Sequence, residues 1–366
     1  MVGAGIAGAS LAYMLLCQGL RVAVIEAGIA GGQGASALSG GIVRSYDPDP
    51  LLADLSAAGL ALFQSWEALG LPGPSPYRAS GCYWLSSGHI ASATVAGSHM
   101  QYGRLDDFPA LDFIDESRAA VNVLFEPGGG YGCPRAFCAQ LVAECRRRGA
   151  LVLEHTRVER ISREGAGPLS VHCLASLLTT RQLALCTGSG LSAFLDIPES
   201  FSRSIPLLTV TSPDLQLKAP LIDTEHSTYF RPLNGQHFQC GSQRWAFLQE
   251  SGPSPEEIRE DALERLFAVL GRKVHVEVVS QGIAYDVYHS SFRPWIGHVD
   301  AEQQIMLASL YSGRGFKYAL AGAVIGARKI MQALDKPYVW SAMDDHVSPR
   351  LENVFLPQSV VGLRHA

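Results

Sequence analysis

Two glycine-rich segments near opposite ends of the chain carry the residue types that suit negatively charged ligand groups. The first, Gly3-Ala4-Gly5-Ile6-Ala7-Gly8, reads G-x-G-x-x-G. In such a segment the first glycine makes the turn, the second admits a pyrophosphate and the third lets a helix pack on a strand. Glu26 closes the next β-branched run, Arg21 to Ile25, where a carboxylate accepts hydrogen bonds from the hydroxyls of an adenosine ribose. Together these residues predict a dinucleotide site. The second segment, Gly313-Arg314-Gly315-Phe316-Lys317-Tyr318, follows a short apolar run. A glycine-rich helix start presents free N–H groups and a positive dipole end to negative charge, and Lys317 adds a point charge suited to a carboxylate.

The elements that must position these residues follow from the pattern. Met1 and Val2 lead into the glycine turn, Ala9 to Gln18 suits a helix, and Arg21 to Ile25 a strand. Only two residues precede Gly3, so the first strand is expected to be shorter than the usual five or six residues. An amphipathic stretch from Tyr131 to Arg148 ends in Gly149, followed by strands in Leu151 to Ile161 and Val171 to Leu178 and a buried strand at Leu183 to Leu185. Tyr46 to Gly130 is richer in proline and aromatics, and Leu207 to Gly282 alternates like antiparallel sheet. A last strand, Gln304 to Ala308, precedes a helix from about Tyr318 to Ala333. The expected class is α/β: a Rossmann-type cofactor-binding domain from residues 1–45, 131–206 and 283–366, with a mixed or antiparallel-sheet α+β substrate domain, 46–130 and 207–282, inserted twice.

Composition narrows the function class. The 366 residues are 47% hydrophobic and 17% charged with 37 glycines, as in a folded protein dense in tight turns. A formal charge of -5 supplies no field for steering toward nucleic acid. None of the eight cysteines forms a C-x-x-C or other metal-ligand spacing, so they read as small buried residues in a reducing compartment. Glycines and polar residues interrupt the apolar start, so no membrane span is expected and the predicted location is the cytoplasm.

With these segments in hand, the chain resembles the D-amino-acid oxidase superfamily of flavoenzymes, in particular its glycine oxidase and monomeric sarcosine oxidase branch. The resemblance covers most of the chain and is strongest at the two ends. It implies noncovalent FAD as cofactor, since Gly282-Ile283-Ala284-Tyr285-Asp286 lacks the cysteine that tethers flavin in sarcosine oxidases. The block from Gly34 to Arg44 resembles the second flavin-contacting loop, which implies contacts from Ala35, Ser36 and Gly41. The segment from Gly130 to Arg135 and the helix after it resemble the lead into the adenine-contacting strand, with Val158 near the adenine, and Gly188 sits in what looks like the third contact. Gly313, Arg314, Gly315, Phe316 and Lys317 resemble the family's G-x-G-F-K segment, whose helix start would stabilise charge on reduced flavin. Gly3, Gly5, Ile6, Ala7, Gly8 and Glu26 complete the expected cofactor set.

The resemblance further implies that Arg44 and Lys317 hold a substrate carboxylate while a hydride passes from the carbon bearing a neutral amine to FAD, giving an imine that hydrolyses. The substrate would be a small amino acid or a secondary amine, and the acceptor oxygen or another oxidant. Where the family carries a lysine associated with oxygen activation and a following histidine, this chain has about Gln239 and Gln243, so Arg231, Arg244 or Lys317 would have to supply the cation. Tyr229, His237, Tyr285, Tyr288 and His289 are further polar candidates for the substrate face, and Arg293, in a turn resembling the family's R-P-x-x-G, a further candidate near the flavin. Two other readings stay open. One is a flavin domain acting on a tRNA wobble uridine, suggested by Tyr311-Ser312-Gly313-Arg314-Gly315 and opposed by the acidic balance. The other is a subunit of a hetero-oligomeric amine dehydrogenase, so self-association or assembly with other chains also stays open.

Overall fold

The computed structural model describes residues 1–90, 99–165, 167–355 and 363–364. The stretches 91–98, 166, 356–362 and 365–366 of the expected domain segments lie outside the described residues.

The first glycine turn sits at the centre of a mostly parallel sheet. Val2 bridges Ile25 on one side and Leu185 on the other, both in parallel. Val2 N donates to Ala184 O at 2.9 Å, Cys186 N donates to Val2 O at 2.9 Å, and Ile25 N donates to Met1 O at 3.0 Å. Residues 1–3 thus pair on both edges, as a central strand does. Ala23–Ile25 continues the sheet to Leu151–Leu153, while Leu183–Leu185 pairs with Ile305–Ser309 in parallel and that strand with Trp295–His298 in antiparallel. The helices Ile6–Cys17 and Gly315–Ala333 pack on this sheet and on each other, almost wholly buried.

A second sheet of eight strands forms the other layer, with its own core around Leu208, Phe230, Phe238 and Leu266. Its longest strands, Ser200–Thr211 and Glu277–His289, pair antiparallel along their whole length. They run unbroken across residues 206–207 and 282–283, where the sequence pattern suggested boundaries, so the two layers share continuous strands.

Several elements differ from the sequence expectation. Val171 to Leu178 is a hairpin, Leu169–Cys173 with Ser176–Thr180, because Leu174 and Ala175 form its turn. The block from Gly34 to Arg44 holds a short helix, Gly34–Leu38, and a two-residue strand, Ile42–Val43. Within the stretch read as antiparallel sheet lies a helix, Pro255–Leu270, started by a capping box in which Ser254 and Glu257 satisfy each other's backbone N–H. The proline-rich stretch contains a further helix, Pro50–Gln64, with Asp49 capping Leu51 N at 2.9 Å and proline in its first turn.

Candidate active site

The local turns explain why the site starts where it does. Gly3 has φ +94°, and a Cβ there would lie 2.4 Å from the Cys186 carbonyl oxygen, so only glycine fits. A Cβ at Gly8 would lie 1.9 Å from Gly3 O, which fixes how closely the first helix approaches its own strand. Gly5 instead meets only Ser36 Oγ, at 3.1 Å, and leaves its face open. Ser36 Oγ accepts from Ile6 N at 3.0 Å, satisfying one first-turn N–H of the helix. Glu26 Oε2 accepts from Ala4 N at 2.7 Å and Oε1 from Gly28 N at 2.9 Å. Each oxygen of an ionised carboxylate takes more than one donor, so both keep acceptor capacity.

These residues open onto a cavity of about 790 Å³ between the two layers. Gly3, Gly5, Ile6, Ala7, Glu26, Ala35, Ser36, Gly41 and Gly188 lie on its wall. So do Arg44 and, from the far end of the chain, Gly313, Arg314, Gly315, Phe316 and Lys317. Gly8 is not on the wall, in keeping with its packing position. Val158 is a correction: its side chain packs in the core beside Ile161 and Leu183, and the preceding Arg157 lines the cavity instead. In a strand, neighbouring side chains point to opposite faces, so one residue decides which reaches the ligand.

Arg231 is a second correction. It lies off the cavity wall, donating from Nη2 to Gly132 O at 2.6 Å with its guanidinium 4.7 Å from the Tyr131 ring. Burial pushes its pKa down, the neighbouring Tyr131, Cys133 and Tyr229 opposing. Gln239 faces Arg231 rather than the cavity. Arg244 is exposed and off the wall, so of the three cations considered for an oxygen site only Lys317 lines the cavity. Gln243, Tyr229, Tyr285 and Tyr288 reach the wall, whereas His237 is exposed, His289 is paired with Ser291 and Arg293 with Asp49.

One buried carboxylate organises the cationic end. Lys317 Nζ donates to Asp47 Oδ2 at 3.1 Å, and Arg44 Nη1 and Arg314 Nη1 stand 3.8 and 3.9 Å from the same oxygen. Tyr318 Oη lies 3.4 Å from it. Asp47 and Lys317 side chains are 3% and 4% exposed, so their charges are screened little by solvent. Burial pushes the Asp47 carboxyl up, but the fields of Lys317, Arg44 and Arg314 outweigh it and hold it below the usual range. Burial, joined by Arg44 and Arg314, pulls Lys317 well below the usual lysine value, against the pull of Asp47. Three cationic side chains against one carboxylate leave a positive surplus facing the cavity.

The sequence reading did not find Asp47. It stands three residues after Arg44, and what brings it to Lys317 is the helix Pro50–Gln64, where a Cβ at Gly59 would lie 1.9 Å from Lys317 O. Nor did it single out Asp286 as functional: Oδ2 accepts from Gly313 N at 2.9 Å and Oδ1 from Val287 N at 2.9 Å. Burial raises its pKa, with those backbone donors and Arg203 opposing. The second glycine turn is therefore held between two carboxylates, Asp286 at its start and Asp47 at Arg314 and Lys317.

The family model described as FAD dependent oxidoreductase (DAO) matches residues 1–328. The chain belongs to this family of FAD-dependent oxidoreductases. The solved structure of L-proline dehydrogenase from P. horikoshii superposes with a TM-score of 0.79 at 16% identity, covering 97% of each chain. Glycine oxidase from Geobacillus kaustophilus gives 0.77 at 16%, covering 95% of this chain and 97% of that one. Iminodiacetate oxidase from Chelativorans sp. BNC1 gives 0.75 at 17%, covering 98% of each. No curated protein sequence matches.

FAD is the cofactor, and the cavity fits it. Its wall carries the open face of Gly5, the Glu26 carboxylate and two buried polar atoms without a hydrogen-bond partner in the protein, Thr187 Oγ1 and Arg314 Nη1. Such orphaned groups are what a polar ligand satisfies. Among the described residues no helix is long and apolar enough to cross a membrane, and no cluster of three metal-ligating side chains occurs.

Proposed function

We propose that the protein oxidises the C–N bond of a small amino acid or N-alkyl amino acid, giving an imine that water hydrolyses. The observation carrying this reading is the positive surplus of the cavity-wall residues Arg44, Arg314 and Lys317 around the single buried Asp47 behind them. When bound, FAD supplies the two-electron acceptor for the hydride leaving the amine-bearing carbon. The chain's own residues hold the cofactor noncovalently: the Gly3 to Ala7 turn takes the pyrophosphate, Glu26 the ribose hydroxyls, and Ala35, Ser36, Gly41 and Gly188 the remaining edges.

Arg44 offers planar donors to the substrate carboxylate, steadied by its place 4.5 Å over the Trp84 ring. Lys317 contributes field rather than reach, because its ammonium is already committed to Asp47. Fixing the carboxylate orients the C–H bond, which accounts for much of the rate such sites achieve. A substrate amine that enters unprotonated has its lone pair free to form the C=N bond, and its remaining N–H proton leaves to water. Of the expected substrate domain, residues 207–282 contribute to the cavity wall, Tyr229, Gln243 and Trp245 among them, whereas no described residue of 46–130 lines it.

An anaerobic flavin-bleaching screen against glycine, sarcosine, proline and D-amino acids tests the reading. Bleaching by at least one of them, weakened by Lys317→Met, is the expected result, and readmitting air separates oxygen from another acceptor. Unchanged turnover in Lys317→Met would exclude its assignment.

A further inference from the structure

Arg203 is a cavity-wall arginine placed directly opposite a carboxylate with which it does not pair. The antiparallel register sets it across from Asp286. The Asp286 oxygens are engaged by Gly313 N and Val287 N, so Asp286 and Arg203 act on each other through their charges rather than through a hydrogen bond. Its guanidinium instead lies between two rings, 4.3 Å from the centroid of Tyr288 and 4.9 Å from that of Trp245. Those rings are themselves braced: Tyr288 stacks on Phe201 at 5.6 Å, and Trp245 and Phe201 both pack edge-on to Phe247. The Arg203 Nε is buried without a hydrogen-bond partner.

A guanidinium packed against two rings has limited rotamer freedom, keeps its fork of donors, and feels the Asp286 charge without being committed to it in an ion pair. This is the make-up of a receptor for a planar anion, since such donors pair with a carboxylate two at a time. Arg203, Trp245 and Tyr288 all line the same cavity as Arg44 and Lys317, but they come from the long strands of the eight-stranded sheet and the segment after it. The cavity thus offers two separately built cationic posts, one organised by Asp47 and one by aromatic rings.

We propose that Arg203 binds a second carboxylate of the substrate, so that the preferred substrate is an amine bearing two carboxylates: an acidic amino acid or an N-carboxyalkyl amino acid. This rests on the amine-oxidation reading for the reaction but not for the binding. Trp245, 37% exposed, stands where the clamp meets solvent, so the second carboxylate reaches its post from the cavity mouth.

The test compares Arg203→Gln and Trp245→Leu with the unaltered holoprotein, all checked for flavin content and melting temperature. Flavin bleaching is titrated with sarcosine and with iminodiacetate, and binding of the unreactive anions acetate and malonate is followed by perturbation of the flavin spectrum. Arg203→Gln is expected to weaken iminodiacetate and malonate about 10- to 100-fold, as for loss of a charged hydrogen-bonded pair, while leaving sarcosine and acetate within about twofold. Trp245→Leu, which loosens the clamp and keeps the charge, is expected to give a smaller loss with the same selectivity. Equal weakening of mono- and dicarboxylates, or no weakening of either, overturns the proposal. If no amine bleaches the flavin, the oxidation reading fails by itself, and the malonate titration still decides whether Arg203 is an anion post.

Discussion

The two glycine turns on the cavity wall are built on different principles. The first, Gly3 to Gly8, is held by close backbone approach: Gly3 fits under Cys186 O beside the neighbouring strand, Gly8 against Gly3 O, and Glu26 accepts from Ala4 N. The second, Gly313 to Lys317, is held by carboxylates from far away in the chain, Asp286 on Gly313 N and Asp47 on Lys317 Nζ. A turn braced by sterics tolerates changes of charge and fails on changes of volume. A turn braced by buried ion pairs does the reverse.

The sharpest way to break this contrast is Gly3→Ala. A Cβ 2.4 Å from a backbone oxygen, at φ +94°, cannot be relieved by moving a flexible side chain. A loss of about 4 kcal/mol or more, with loss of bound FAD, is expected by thermal melting and the ratio of flavin to protein absorbance. Gly315→Ala in the second turn meets nothing closer than 3.7 Å and should keep its melting temperature far better.

Asp47→Asn is the matching test of the second turn. It leaves the buried Lys317 beside Arg44 and Arg314 with no counter-charge, a change expected to lower stability by about 3 kcal/mol. The pH dependence has a definite sign. The folded-state pKa of Lys317 is depressed, so below it the penalty for the buried ammonium is full. The penalty shrinks as pH rises toward the ordinary lysine value, because the unfolded chain then also loses the proton. The variant should therefore gain stability on going from neutral to alkaline pH, more than the parent does. In the parent, Asp47 acts oppositely: its depressed pKa makes its contribution full above the usual carboxylate value and lost as pH falls through the folded one.

Asp286→Ala removes the acceptor of Gly313 N, a loss of about 1–3 kcal/mol that should appear as weaker FAD retention and a shifted flavin spectrum. Glu26→Gln is expected to have the smallest effect, about 1 kcal/mol in FAD affinity, because the amide keeps one acceptor for Ala4 or Gly28. If Glu26→Gln proved more damaging than Asp47→Asn, the distinction between a steric turn and an ionic one would collapse.

The legibility of the site follows the same division. Gly3, Gly5 and Gly8 were readable because their spacing marks one turn between a strand and a helix, although the carbonyl that Gly3 must clear, Cys186 O, comes from far along the chain. The Gly313 to Lys317 segment was readable as a helix start. The first strand was legible from the glycine turn it leads into, but its pairing on both sides was not. The helices Pro50–Gln64 and Pro255–Leu270 were missed although both carry start signals, because the stretches around them were read for overall composition and alternation. Val158 against Arg157 turned on which face of a strand meets the cavity, and Arg231 on a carbonyl, Gly132 O, 99 residues away in sequence.

By itself, then, the sequence determined the cofactor turn, the α/β class and the positive character of the second glycine segment, because these depend on residues adjacent in the chain. Tertiary structure alone decided that Asp47 rather than a ligand meets Lys317, that Asp286 steadies Gly313, and that Arg203 is clamped between Trp245 and Tyr288. Charge partners are chosen by which buried groups the packing of distant helices and strands brings within a few ångströms, and no local pattern encodes that distance.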